Sequence, residues 1–298
     1  MILLAGGTGR LGTVLAARLI GRGLAVRVLT RDPARASHLA AQGAGIVTGD
    51  VRDRASLTAA CRGADTVVSA IHGFAGPGRV SPATVDFRGN VNLIDAARAA
   101  DAHVVLMSVA GAAASSPIEL ARMKHAAEEH LRASGTPWTI VRATAFLELW
   151  IDILGQTATR SGRPVVFGRG DNPINFVSVT DVAALVEHAV TDPATRGRTL
   201  EIGGPDNLTF NQFAAAIQAV AGRTSAPRHV PPLALRLIAH TAGRLRPELG
   251  RQARAALVMD NTDLIYEASD IRQSYPGLPS TTVSMCLRRP DTAAQPAG

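Results

Sequence analysis

From residue 2 to residue 142 the chain alternates short, almost wholly apolar runs with longer segments of mixed polarity. The apolar runs are ILLAG (2–6), AVRVLT (25–30), AGIVTGD (44–50), DTVVSAI (65–71), HVVLMS (103–108) and WTIVR (138–142). Runs of this length with few polar interruptions predict strands covered on both faces. The segments between them predict helices over 10–22, 33–41, 54–61, 84–100 and 117–134, with a Gly/Pro loop, GFAGPGRVSP, at 73–82. Ser116, Pro117 and Glu119 form an S-x-x-E start signal for the last of these, which puts residue 124 in its second turn. Strand–helix alternation predicts an α/β fold with a parallel sheet wound on both sides.

After residue 145 the pattern loosens. A helix is expected at 145–159, short strands at VVF (165–167), NFVSV (175–179) and TLEIGG (199–204), and helices over 180–191, 209–221 and much of 231–258. Asp181 is expected to cap the helix that follows it. This reads as a first domain over 1–150, a smaller C-terminal substrate lobe over 151–287 partly interleaved with the sheet, and a disordered tail over 288–298.

Composition narrows the classes. A hydrophobic content of 46% with 18% charged residues fits a globular chain with a large core. The net charge of +7 comes from scattered arginines, and aromatics are only 4%, so platforms for stacking bases are scarce and nucleic acid is not expected as a partner. A mild basic excess suits steering of an anionic ligand. No apolar run reaches the roughly 20 residues of a membrane span, so no membrane association is expected. MILLAGG enters a strand directly, without the basic start of a signal peptide. Cys61 and Cys286 match no metal spacing and read as reduced thiols of a cytoplasmic protein, with no metal site.

AGGTGRLG (5–12) joins the first strand to the first helix. Gly6, Gly9 and Gly12 are spaced G-x-x-G-x-x-G, and Gly7, Gly9 and Gly12 are spaced G-x-G-x-x-G. A tight turn, close approach of backbone to a pyrophosphate and a helix N-terminus all ask for glycine here. Thr8, Arg10 and Leu11 complete the loop, and the first domain reads as an NAD(P)-binding Rossmann domain. Where the second strand ends, Arg31 suits a ribose 2′-phosphate, so NADP(H) is favoured over NAD(H), although Asp32 beside it blurs the signal. Asp50 and Val51 are placed to touch adenine, and Ala70 and Ile71 to pack near a ribose.

Of the 31 basic residues only one, Lys124, is a lysine. Lysine is a compact point charge with three donors and is not interchangeable with arginine, so its retention in an arginine-rich chain points to chemistry. GGTGRLG (6–12), TRD (30–32), GDV (49–51), VVSAI (67–71), LMS (106–108), Lys124, VRATAF (141–146), FVSVTDVA (176–183) and LEIGGP (200–205) together resemble the extended and atypical short-chain dehydrogenase/reductases, in particular their NmrA-like and quinone-reductase-like branch. The resemblance implies that Ser108 orients a substrate carbonyl and that Lys124 holds the nicotinamide ribose. It also implies that Thr144 lies in the segment closing over the nicotinamide. Phe146 and Trp150 then form one wall of a substrate pocket, with packing in an amphipathic helix as the alternative.

The family's tyrosine, four residues before the lysine, is absent. Leu120 stands there, and the only tyrosines are Tyr266 and Tyr275. Carbonyl reduction needs a proton as well as a hydride. Its candidate sources are His72, His125, Tyr266, water held by Ser108, or a phenolic substrate itself. The absence makes the chain similar to angucyclinone-type ketoreductases that tailor aromatic polyketides. The expected activity is NADPH-dependent reduction of a bulky aromatic ketone. The alternatives are an NAD(P)H:quinone reductase and a non-catalytic, NmrA-like nucleotide sensor.

Overall fold

The computed structural model describes residues 1–267 and 269–288. Six apolar runs form parallel strands β1 (Ile2–Ala5), β2 (Val26–Thr30), β3 (Gly45–Thr48), β4 (Thr66–Ser69), β5 (His103–Val109) and β6 (Trp138–Ala143). Between them lie helices α1 (Arg10–Gly21), α2 (Ser37–Ala41), α3 (Arg54–Cys61), α4 (Arg88–Ala99) and α5 (Glu119–Ala133). A seventh parallel strand, Arg198–Ile202, pairs with β6 and completes the sheet in the order Arg198–Ile202, β6, β5, β4, β1, β2, β3. The order reverses beside β1, between β4 and β2, which opens a crevice at the strands' C-terminal ends. This is the expected Rossmann-type sheet.

The core follows from the pattern. Leu3, Val67, Leu93, Val104, Leu106, Leu131 and Ile140 are buried together between the sheet and the helices that cover it. Burial of each such side chain contributes about 1.5–3 kcal/mol.

Two compact units emerge: Met1–Ala143 with Val182–Ile202, and Thr144–Asp181 with the chain from Gly203 on. The sequence suggested a division at 150/151 with a C-terminal lobe partly interleaved with the sheet. The chain leaves the first unit at Thr144 and returns at Val182, where Arg198–Ile202 hydrogen-bonds to β6 and Glu187 pairs with Arg18 and Arg22 of α1.

The second unit has a three-stranded sheet of Ala145–Phe146, Ile174–Val177 and Asn207–Leu208, and a parallel pair, Val165–Phe167 with Arg228–Val230. Its core gathers Leu147, Leu154, Phe176, Phe210 and Phe213. Asp181 does not cap the helix Val179–Thr191, which starts three residues earlier than the carboxylate would require. It is fully buried and bonded instead to Thr281 and Arg272, tying the C-terminal segment to this unit. The tail expected over 288–298 lies, apart from Arg288, outside the described residues.

Candidate functional site

The glycine loop has the shape its composition predicts. Gly6 has φ +87°, and a Cβ there would lie 2.5 Å from the Ala70 carbonyl oxygen. At Gly12 a Cβ would lie 2.1 Å from the Gly6 oxygen and 2.5 Å from Gly7 Cα. α1 thus starts hard against the loop, with Gly9 as an N-cap that has no side chain to cover the first N–H groups. A bare helix start ringed by backbone is a cradle for a pyrophosphate, and a cofactor's phosphates fit it. Ala70 meets the loop directly, and its N–H donates to the Ala5 carbonyl at 2.9 Å.

Beside the loop lie the ends of β2, β3 and β4. Gly89 of α4 lets the helix approach Val51 and Ile71, for a Cβ there would lie 2.8 Å from the Val51 side chain. Asn92 donates to the Val51 carbonyl at 3.0 Å and holds that loop. The Asp32 carboxylate accepts from Ala34 N–H at 3.0 Å and caps the turn Pro33–Ala36. Arg31 is exposed and has no hydrogen-bond or ion-pair partner among the described residues. Asp32 is thus engaged locally, whereas Arg31 is not. Asp50 is held by Arg52 at 2.5–3.1 Å, and that contact, against partial burial, keeps its carboxyl below the ordinary range.

Lys124 lies in the second turn of α5 and is only 3% exposed. α5 begins at Glu119, two residues later than expected, because Ser116 Oγ accepts from Ile118 N–H at 3.3 Å in a turn before the helix. Lys124 Nζ donates to the Ile71 carbonyl at 3.0 Å and pairs with Asp86 Oδ1 at 3.1 Å. An ammonium has three N–H donors, so one remains for a sugar hydroxyl. Asp86 is fully buried in a π-helical turn, Pro82–Phe87, that leads into α4. Its other oxygen accepts from Gly73 N–H at 2.9 Å, and His72 Nδ1 lies 3.7 Å from Oδ1. Burial pushes the Asp86 carboxyl up, but Lys124, His72 and the Gly73 N–H outweigh it and hold the group below the ordinary carboxylate range.

Sequence reasoning missed Asp86. The available signal was an acid inside an otherwise apolar helix start, just after the Gly/Pro loop. A polar file continues inward: Ser69 Oγ donates to Asn90 Oδ1, and Asn90 Nδ2 donates to the Asp86 carbonyl at 2.7 Å.

Ser108 is buried on β5, and its hydroxyl has no hydrogen-bond partner in the described structure. Its neighbour across the sheet is Arg142. Glu128, one turn beyond Lys124, does not pair with the lysine. It binds Arg142 at 2.6 and 2.9 Å and Arg132 at 3.1 Å. Burial favours its neutral form, yet Arg142, the nearby Ser108 hydroxyl and Arg132 hold it ionised. Arg142 also reaches Glu201 at 2.9 Å, so this cluster locks α5 across β6 to the seventh strand.

Thr144, Phe146 and Trp150 belong to the second unit. Thr144 Oγ1 donates to Asn175 Oδ1 at 2.8 Å. Trp150 packs on Phe210 with ring centroids 4.5 Å apart, a core contact, while Phe146 is half-buried at the start of the helix Leu147–Ser161. Tyr266 also lies in this unit, with its ring edge against Gly203. Among the described residues no helix is long and apolar enough to cross a membrane, and no cluster of acids, His and Cys could hold a metal ion.

Residues 6–193 match the model of an NAD(P)H-binding family. The chain is 30% identical over 225 residues to an NAD(P)H azoreductase of Xenophilus azovorans, covering 75% of this chain and 74% of that protein. It is 32% identical over 228 residues to a (4-alkanoyl-5-oxo-2,5-dihydrofuran-3-yl)methyl phosphate reductase of Streptomyces griseus, with 75% and 74% covered. In fold it is similar to an NADPH-dependent quinone oxidoreductase of Escherichia coli solved with NADPH, with a TM-score of 0.77 at 23% identity over 96% of this chain and 98% of that one.

Proposed function

The chain belongs to the NAD(P)H-binding family, and on that premise we propose an NADPH-dependent reductase of the atypical short-chain dehydrogenase/reductase type. The protein is an NAD(P)H-dependent oxidoreductase, and its proposed substrate is a carbonyl of a bulky aromatic, polyketide-like or quinone-like molecule. When bound, the reduced nicotinamide supplies the hydride. The protein binds and orients. Gly6, Thr8, Gly9, Arg10, Leu11 and Gly12 seat the pyrophosphate, and Arg31 selects the 2′-phosphate. Asp50, Val51, Ala70 and Ile71 line the adenosine side. Lys124 gives its remaining N–H to the ribose, and Ser108 gives its hydroxyl to the substrate oxygen.

One observation carries this reading: the chain's single lysine is buried and fixed between Asp86 and the Ile71 carbonyl, where a surface lysine would be free. Lys124→Ala is expected to lower kcat/KM for NADPH-dependent reduction by about 100-fold or more, since no second lysine can substitute. Full activity in that variant would reject the proposal. Quinone reduction is the second reading, favoured by a 27% identical relative named quinone oxidoreductase 2 from Escherichia coli. NADPH consumption with a panel of quinones and hydroxy-ketones separates the two. Binding of NADPH with no consumption by any acceptor would instead support a sensor.

A further inference from the structure

We infer that His72 is the proton donor that stands in for the missing tyrosine, with Asp86 as the positioning residue it shares with Lys124. The inference rests on the reductase reading above. The segment Ile71–Gly73 is clamped at both ends: Lys124 holds the Ile71 carbonyl at 3.0 Å, and the Asp86 carboxylate holds the Gly73 N–H at 2.9 Å. Gly73 must be glycine for this, because a Cβ there would lie 2.6 Å from the Ser81 carbonyl oxygen. The residue between the clamps is His72. Its Nδ1 faces Asp86 Oδ1, the same oxygen that pairs with Lys124, while its side chain stays 51% exposed. That oxygen is buried and accepts no hydrogen bond, so its partners are the two cations as charges.

With the carboxylate on its Nδ1 side, the ring keeps a proton there, and when doubly protonated it donates from Nε2–H, which is turned away from Asp86. The groups around the ring are the Asp86 carboxylate, the Phe74 ring at 6.1 Å and, beyond the carboxylate, the Lys124 ammonium. His125 has no such arrangement, for its Nδ1 is buried without a partner.

Hydride from NADPH forms the C–H bond at the carbonyl carbon, and the C=O π pair moves to oxygen. The His72 Nε2–H proton passes to that oxygen and leaves a neutral imidazole, which solvent reprotonates. NADPH is oxidised and the carbonyl is reduced.

The test uses the full chain with NADPH and whichever quinone or hydroxy-ketone it turns over. His72→Asn is expected to bind NADPH with a Kd within about twofold of wild type, to lose about 100-fold or more in kcat, and to regain turnover with added imidazole. Nitrogen-15 NMR of the protein without cofactor reads the same geometry independently of activity. At pH 8 the His72 proton is expected on Nδ1, and this preference is expected to vanish in Asp86→Asn. Unchanged kcat in His72→Asn, or an Nε2–H tautomer in wild type, would overturn the inference and leave the reductase reading intact. In the first case the proton comes from water or from a phenolic substrate. A wild-type protein that never oxidises NADPH would overturn both.

Discussion

Lys124 is tolerated at 3% exposure because Asp86, itself fully buried, lies 3.1 Å away. A buried pair of this kind repays its desolvation only while both partners stay. Asp86→Leu should therefore cost about 3–5 kcal/mol of stability, and adding Lys124→Met should recover most of the loss. Urea denaturation of the two single variants and the double variant measures this, and an unaltered midpoint in Asp86→Leu would show that the pair is not coupled. At this scale legibility was uneven. The lysine stood out because 30 of 31 basic residues are arginine, whereas Asp86 was one of 24 acids, separated by 38 residues from a partner it meets only in the fold. Glu128 shows the converse: four residues from Lys124 it could pair with it or diverge, and Arg142 on the facing strand offers two donors and wins.

Among the elements, the loop before α1 and the turn before α4 are the two that hold the site. The first was readable because close approach demands glycine, and the demand can be checked. Gly12→Ala would place a methyl group 2.1 Å from one backbone atom and 2.5 Å from another, neither of which is the end of a flexible side chain. It should raise the NADPH Kd by about 100-fold or more and lower Tm. Gly21→Ala, at the far end of the same helix, meets nothing within 4 Å and should be neutral or gain up to about 1 kcal/mol. Fluorescence titration with NADPH compares the pair, and equal affinities would remove the cradle argument. The π-helical turn Pro82–Phe87 was not readable, because a π turn differs from α-helix by one residue of register and leaves no mark on apolar spacing. The starts of α5 and of Val179–Thr191 were misjudged for a related reason: serine and aspartate bond equally well in a turn before a helix or to a distant segment, and only tertiary contacts decide.

For the whole molecule, the first unit was legible because its inner strands, from β6 to β2, are almost wholly buried and so have few polar interruptions. The second unit was less so: its strands are two to four residues long and pair with partners up to 63 residues away. Folding has also buried ionisable groups, and these set how the molecule answers to acid. His103 is 4% exposed on β5, and its ring nitrogen Nε2 lies 3.0 Å from Thr139 Oγ1. Burial, with Arg196 nearby, lowers its pKa from 6.5 to about 4. The folded state therefore holds this ring neutral, while the unfolded chain takes up a proton below about pH 6.5. Stability from this group is complete above that pH and is lost as pH falls towards 4, by about 2 kcal/mol at pH 5. The depressed carboxyls of Asp86 and Glu128 act in a separate window, beginning only near pH 4, where the unfolded carboxyls protonate. Urea midpoints at pH 7 and pH 5 should thus fall in wild type but hold nearly level in His103→Gln, which keeps an amide donor for Thr139. A parallel fall in both proteins would assign the acid sensitivity to other groups and leave His103 without a part in it.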